Sequence, residues 1–144
     1  MTQEDKELLL KDISARLPYG VKAYVKNWSN FKTYEDVYVV KSTFPSLNEV
    51  HVQSETGSLD VIIGYYDYEF KPYLFPMSYI DDNEKLFAEY ITTLTYDSNT
   101  HSAAPTIKTF DFYNKHHIDY RGLIEKGLAL DATGLDIYAN FNNI

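Results

Sequence analysis

The sequence predicts an α+β fold: an N-terminal helix packed on a mainly antiparallel four- or five-stranded sheet, open or barrel-like, with a C-terminal helical segment. Three observations carry that prediction. Apolar residues near the N-terminus recur at three- and four-residue spacings. Four short strand-like runs then follow at regular spacing between turn signals, the pattern of a meander. After residue 80 a second run returns to helical spacing. The 144 residues fit one domain. We divide it into a helix-plus-meander part (1–80), a helical or mixed completion (81–138) and a tail (139–144).

The first helix spans 3–17. Thr2 caps it and Asp5 stands three residues on, a capping box with Asp in place of Glu. Leu9, Leu10, Ile13 and Leu17 share one face, and Pro18 with Tyr19-Gly20 ends the helix. In 21–28, Val21, Ala23 and Val25 alternate with Lys22, Tyr24 and Lys26, which reads as a half-buried strand. Residues 36–43, with Val37 to Val40, form a second strand, broken by Pro45. A third begins at Val50, and 59–68 give a fourth. Trp28 is placed at a strand end. Pro72 and Pro76 make the stretch between them extended rather than helical. Asp81 or Asp82 caps a helix over about 83–94, where Leu86, Phe87, Tyr90, Ile91 and Leu94 have helical spacing. Residues 97–105 read as a polar loop, 106–110 as a short strand, 111–118 as a short helix, 120–130 as a compact tail, and the last dozen residues as fraying. The expected core is Leu9, Ile13, Leu17, Val21, Val25, Val39, Val61, Ile63, Leu86, Ile91, Leu123 and Leu128.

Thirteen basic and 21 acidic residues give a net charge of −8. Both halves are acidic, with 8 basic and 11 acidic residues in 1–72 and 5 and 10 in 73–144. A concentrated basic face for nucleic acid is missing, and an anionic membrane surface is disfavoured for the same reason. There is no cysteine, so disulfides, thiol nucleophiles and cysteine-based zinc sites are excluded. No stretch approaches the roughly 20 apolar residues of a membrane span, and the first residues do not read as a secretory signal. A cytoplasmic protein is the expectation. Tyrosine is the compositional oddity: 14 Tyr, 8 Phe and 1 Trp bring the aromatic share to 16%. Such rings suit half-buried strands, and equally a contact surface for a partner.

Among chemical constellations, His116, His117 and Asp119 form the densest set of metal-ligand types, with His51 and His101 elsewhere. Adjacent histidines diverge on a helix or strand, and no His-Glu-x-x-His pair is present. The paired carboxylates Glu4-Asp5 and Asp81-Asp82 sit at helix starts, where they favour the dipole. No Gly-rich phosphate loop or Gly-x-Ser-x-Gly elbow occurs. The run Tyr65, Tyr66, Tyr68 and Phe70 could stack bases, but Asp67 and Glu69 among them repel phosphate.

Three stretches carry a resemblance: KELLLKDISARLPYGVK (6–22), KPYLFPMS (71–78) and HIDYRGLIEKGLAL (117–130), 39 of the 144 residues. Together they resemble a family of uncharacterised short proteins encoded by prophages and mobile elements of gut anaerobic bacteria. The resemblance implies a bacterial or phage cytoplasmic origin and no activity. It places Tyr19, Tyr73, Tyr120, Arg121 and Gly122 in its motif stretches. Structurally, Arg121 would pair with Asp119 or another carboxylate and Gly122 would supply a turn. Functionally, Tyr120 and Arg121, with Tyr73 and Tyr19, would form a partner-binding site, since Arg and Tyr are common anchors. The expectation is a non-enzymatic interaction protein that binds a protein partner, one version being an inhibitor of a host system, with no cofactor. The alternative is a small metal-dependent hydrolase built on His116, His117 and Asp119.

Overall fold

The computed structural model describes residues 1–27, 36–55, 60–64 and 68–138. The first helix, α1 (Gln3–Arg16), opens on a capping box. The Asp5 backbone N–H donates to Thr2 Oγ1 and the Thr2 N–H to Asp5 Oδ2, both at 3.1 Å. Its buried face holds Leu9 and Ile13, as the spacing requires, and also Asp12 and Arg16. Pro18 converts the next turn to a 3-10 turn over Leu17–Tyr19, and Gly20 closes it at φ 68°, a conformation that glycine adopts without strain.

Five strands follow: β1 (Lys22–Asn27), β2 (Asp36–Phe44), β3 (Glu49–Ser54), β4 (Asp60–Gly64) and β5 (Tyr68–Pro76). The helix α2 (Glu84–Thr93), a hairpin of β6 (Thr95–Asp97) and β7 (Ser102–Ala104), and α3 (Ile107–Lys115) come next. Two-residue strands, β8 (Ile118–Asp119) and β9 (Leu130–Asp131), complete the order. The main sheet runs β4-β3-β2-β1-β5-β8, with β9 also on β5. The pairs among β1 to β5 are antiparallel, whereas β8 and β9 lie parallel to β5, opposite Phe75–Pro76 and Tyr73–Leu74. The sheet stays open and does not curl into a barrel.

Strand alternation sends side chains to two apolar clusters, one for each face. Ala23, Val25, Tyr38, Val40, Phe70 and Leu74 join Leu9 and Ile13 of α1, with Leu123 and Leu128. Tyr24, Val37, Tyr73 and Phe75 face the other way, to Leu86 of α2, Phe112 and Tyr113 of α3, Ile118 and Tyr138.

That second cluster explains the departures from expectation. Val39 is half-buried, and Tyr38 and Val40 take the core positions. All four residues from Val37 to Val40 are apolar, so alternation cannot choose a face. Pairing does: Tyr38 stands opposite Ala23, whose small side chain leaves room for the ring. Ile91 is 50% exposed, because α2 turns Leu86, Tyr90 and Thr93 inward instead. Asn83, not Asp81 or Asp82, caps α2, its Oδ1 accepting the Leu86 N–H at 3.0 Å. Leu17 is partly buried against the α1 cluster. Val61's side chain and Trp28 lie outside the described residues.

Residues 106–110 are the start of α3, not a strand. The β-branched Thr106, Ile107 and Thr109 suggest extension, but the threonines cap the helix instead. The Thr106 N–H donates to Thr109 Oγ1, and both hydroxyls donate to the Thr93 carbonyl. The stretch read as a polar loop holds the β6–β7 hairpin, too short and polar to announce itself by alternation. Residues 133–138 are held down rather than frayed, since Tyr138 is buried, and 139–144 lie outside the described residues.

Candidate functional site

The site begins on α1. Asp12 and Arg16 sit one helical turn apart with fully buried side chains. Arg16 Nε and Nη2 donate to the two Asp12 oxygens at 2.9 and 3.0 Å, a bidentate pair. Its other donors reach the carbonyls of Tyr113 at 3.2 Å and Ile118 at 2.6 Å, so the guanidinium ties α1 to α3 and β8. A second guanidinium approaches the same carboxylate: Arg121 Nε lies 3.3 Å from Asp12 Oδ1. Charge attraction is present there, but the angle makes no hydrogen bond, and this buried Nε has no hydrogen-bond partner among the described residues.

Tyr120 lies between the two cations. The Arg16 and Arg121 guanidinium carbons are 5.4 and 4.8 Å from its ring centre, cation–π distances. Its hydroxyl accepts from Arg121 Nη2 at 2.9 Å and donates to Asn114 Oδ1 at 3.1 Å. Asp119 does not pair with Arg121. Both its oxygens accept backbone N–H groups, from Leu123 and Ile124, at 2.9 Å, and Gly122 turns the chain between them at φ 73°.

From Tyr120 a row of rings crosses α3 to α2. Tyr120 packs on Phe110 (5.5 Å between centres) and Tyr113 (5.2 Å), Tyr113 on Tyr90 (6.2 Å), and Tyr90 on Phe87 (6.4 Å). Burial raises the Tyr113 pKa, with its hydrogen bond to Tyr90 adding to the shift. Phe87 and Phe110 at the surface are 40% and 44% exposed. The row therefore offers aromatic faces to solvent, with the half-buried Arg121 guanidinium at one end.

The histidines are placed differently. His116 Nε2 donates to Glu89 Oε2 at 2.5 Å, and its ring packs on Phe112 at 4.8 Å. The imidazole is the buried partner, 7% exposed against 42% for Glu89, the reverse of a base that must face a substrate. Burial lowers its pKa, and the Glu89 charge opposes that shift. His117 adopts φ 58° and stacks on Tyr138 at 3.8 Å and 12°. Its Nδ1 is buried with no hydrogen-bond partner among the described residues, and burial first, then the Arg16, His116 and Lys22 charges, pushes its pKa down to about 3. The Tyr138 hydroxyl accepts the Lys22 N–H at 2.9 Å and donates to the Tyr73 carbonyl at 2.6 Å.

Of the residues singled out from sequence, the structure joins Tyr120 and Arg121 and leaves the others apart. Tyr73 is a core side chain, and burial raises its pKa. Tyr19 is 40% exposed on the turn after α1, in neither cluster. His116, His117 and Asp119 turn to Glu89, Tyr138 and the 123–124 backbone, respectively. No group of three or more His, Asp or Glu able to hold a metal occurs among the described residues. Sequence reasoning missed Asp12 and Arg16. Their signal was present: two opposite charges four residues apart on the face that carries Leu9 and Ile13. No family model, curated protein or solved structure matches the chain.

Proposed function

We propose that this chain is a non-enzymatic interaction protein that binds a protein partner through the aromatic row ending at Tyr120 and Arg121. The observation that carries the reading is the exposed part of that row, Phe87 and Phe110, together with the exposed Ile91 and Ile107 on the same two helices. Phe87, Ile91, Ile107 and Phe110 are 40, 50, 82 and 44% exposed on two adjacent helices. Exposed apolar residues scattered singly are ordinary, whereas a contiguous set marks a contact surface. Tyr and Arg at its end are residue types that dominate binding energy when a partner covers them. The resemblance to prophage and mobile-element proteins adds a direction, a host or phage protein as partner, with inhibition of a host system as one version. The buried His116 and the divergence of His116, His117 and Asp119 give the hydrolase alternative no support.

The test is affinity capture from nuclease-treated lysate of a gut anaerobic bacterium, with Phe110→Ser and Arg121→Ala beside the parent chain. One stoichiometric partner is expected with the parent, reduced about tenfold or more by either variant while circular dichroism is unchanged. A partner held equally by all three chains refutes this surface.

A further inference from the structure

We infer that Arg121 and Asn114 form a receptor for a carboxylate presented by the partner, an inference that rests on the interaction reading above. The Tyr120 hydroxyl joins the two residues. It accepts from Arg121 Nη2 and therefore donates its own proton to Asn114 Oδ1. That fixes the orientation of the Asn114 amide, with its oxygen engaged and its Nδ2 left over. Arg121 Nη1 and Asn114 Nδ2 make no hydrogen bond among the described residues, and neither is a buried atom, so both reach water.

A guanidinium has no acceptor, and the one acceptor of the Asn114 side chain is engaged. The outward face of the pair therefore offers donors alone. Donors alone select an acceptor, and the positive charge among them selects an anionic one, since charge-assisted hydrogen bonds are about twice as strong as neutral ones. The protein's own carboxylates leave the place open. Asp12 lies fully buried, with both oxygens hydrogen-bonded to Arg16. Asp119 accepts the Leu123 and Ile124 N–H groups through both of its oxygens. Asp111 and Glu125 are exposed, and neither makes an ion pair with Arg121.

Two guanidiniums, Arg16 and Arg121, thus face one carboxylate, and a single further negative charge balances them. A carboxylate supplies one, whereas a phosphate monoester brings nearly two and overshoots. The net charge of −8 does not forbid it. Exposed charges are screened beyond roughly 8 Å at physiological salt, while a bound carboxylate touches its donors.

The receptor is held in place before anything binds, so its donors lose little freedom on binding. Tyr113 stacks on the Tyr120 ring at 5.2 Å, and the Arg16 guanidinium lies over it at 5.4 Å. Phe110 packs on the same ring at 5.5 Å and is 44% exposed. The aliphatic stem of an Asp or Glu side chain therefore finds an apolar surface beside the charge.

The test titrates the isotope-labelled full chain with sodium butyrate, a carboxylate on a short apolar stem, and follows the Asn114 carboxamide and Arg121 Nε resonances. Butylammonium chloride and inorganic phosphate at equal ionic strength are the comparisons. Butyrate should shift both resonances to saturation and more tightly than phosphate, and butylammonium should leave them still. Asn114→Asp keeps an oxygen for Tyr120 and sets a carboxylate of the protein's own beside Arg121. It should weaken butyrate binding, read at Arg121 Nε, and partner capture about tenfold or more, with circular dichroism unchanged. Arg121→Gln removes the charge and keeps a donor, and should weaken butyrate binding at Asn114 as much.

The absence of a saturable shift would overturn the inference, as would tighter binding of phosphate or an unchanged butyrate affinity in Arg121→Gln. If Phe110→Ser abolishes partner capture while Asn114→Asp leaves it at the parent's level, the carboxylate inference fails and the interaction reading stands. If butyrate binds as described and no partner is captured, the receptor stands with a free acid as its source, and the interaction reading falls.

Discussion

Replacing Asp12 with alanine should unfold this protein more readily than any surface substitution. Arg16 is fully buried, and its four hydrogen bonds are two to Asp12 and two to backbone carbonyls. Removing the carboxylate leaves an interior cation facing only neutral dipoles, with the Arg121 guanidinium close by. Breaking a buried pair in this way costs about 3–5 kcal/mol. That is about a fifth or more of the roughly 5–15 kcal/mol that holds a domain folded. Unfolding entropy for 144 residues is about 0.3 kcal/mol per degree, so the melting temperature should fall by about 10–17 °C. Urea unfolding followed by circular dichroism, at an unchanged m-value, measures the loss directly. Glu7→Ala, on the exposed side of the same helix, is the control and should stay within about 0.5 kcal/mol of the parent. A loss below about 1 kcal/mol for Asp12→Ala would refute the claim that this ion pair fastens α1 to α3 and β8.

Two further outcomes follow from the C-terminal anchor. Tyr138→Phe keeps the ring but strips the hydroxyl from the Lys22 N–H and the Tyr73 carbonyl, which should cost about 1–3 kcal/mol. Hydrogen exchange at the Lys22 amide should accelerate, and an unchanged rate would contradict the bond. The second concerns pH. His117 is neutral when buried, its folded pKa near 3 lying below the roughly 6.5 of the unfolded chain, so the unfolded state binds the proton first. Its contribution is complete above about pH 6.5 and drains away as pH falls toward 3, by an amount of order 5 kcal/mol. His117→Asn tolerates the positive φ and removes the titration. The urea midpoint should fall less between pH 7 and pH 4 in that variant than in the parent, and equal falls would refute the assignment.

Where one physical signal dominated, the sequence was legible. Leu9 and Ile13 at four-residue spacing, stopped by Pro18, specify α1 with little competition. Val21, Ala23 and Val25 do the same for β1. Legibility failed where both faces of an element are apolar, as at Val37 to Val40, since the sheet is covered on both sides. It failed again where hydroxyl capping overrode β-branched propensity, at Thr106 and Thr109. Tyr120 and Arg121 stood out only through the motif stretch that holds them. Asp12, the carboxylate beside Arg121, is more than 100 residues away, and Lys22 and Tyr138 are separated by 116 positions. Pairings of that range follow from topology, and no local pattern announces them.

The placement of Arg16 has a consequence for the order of events during synthesis. The residues that receive its second pair of protons include Ile118, 102 positions later in the chain. At about 5–20 residues per second, a ribosome takes roughly 5–20 s to supply them. Throughout that interval the Gln3–Arg16 segment has been synthesised, yet burying its apolar face would strand two of the guanidinium's donors. The emerging chain therefore has a reason to keep α1 in water until residue 118 leaves the exit tunnel. A charge that secures the finished molecule acts, before completion, as a brake on premature collapse.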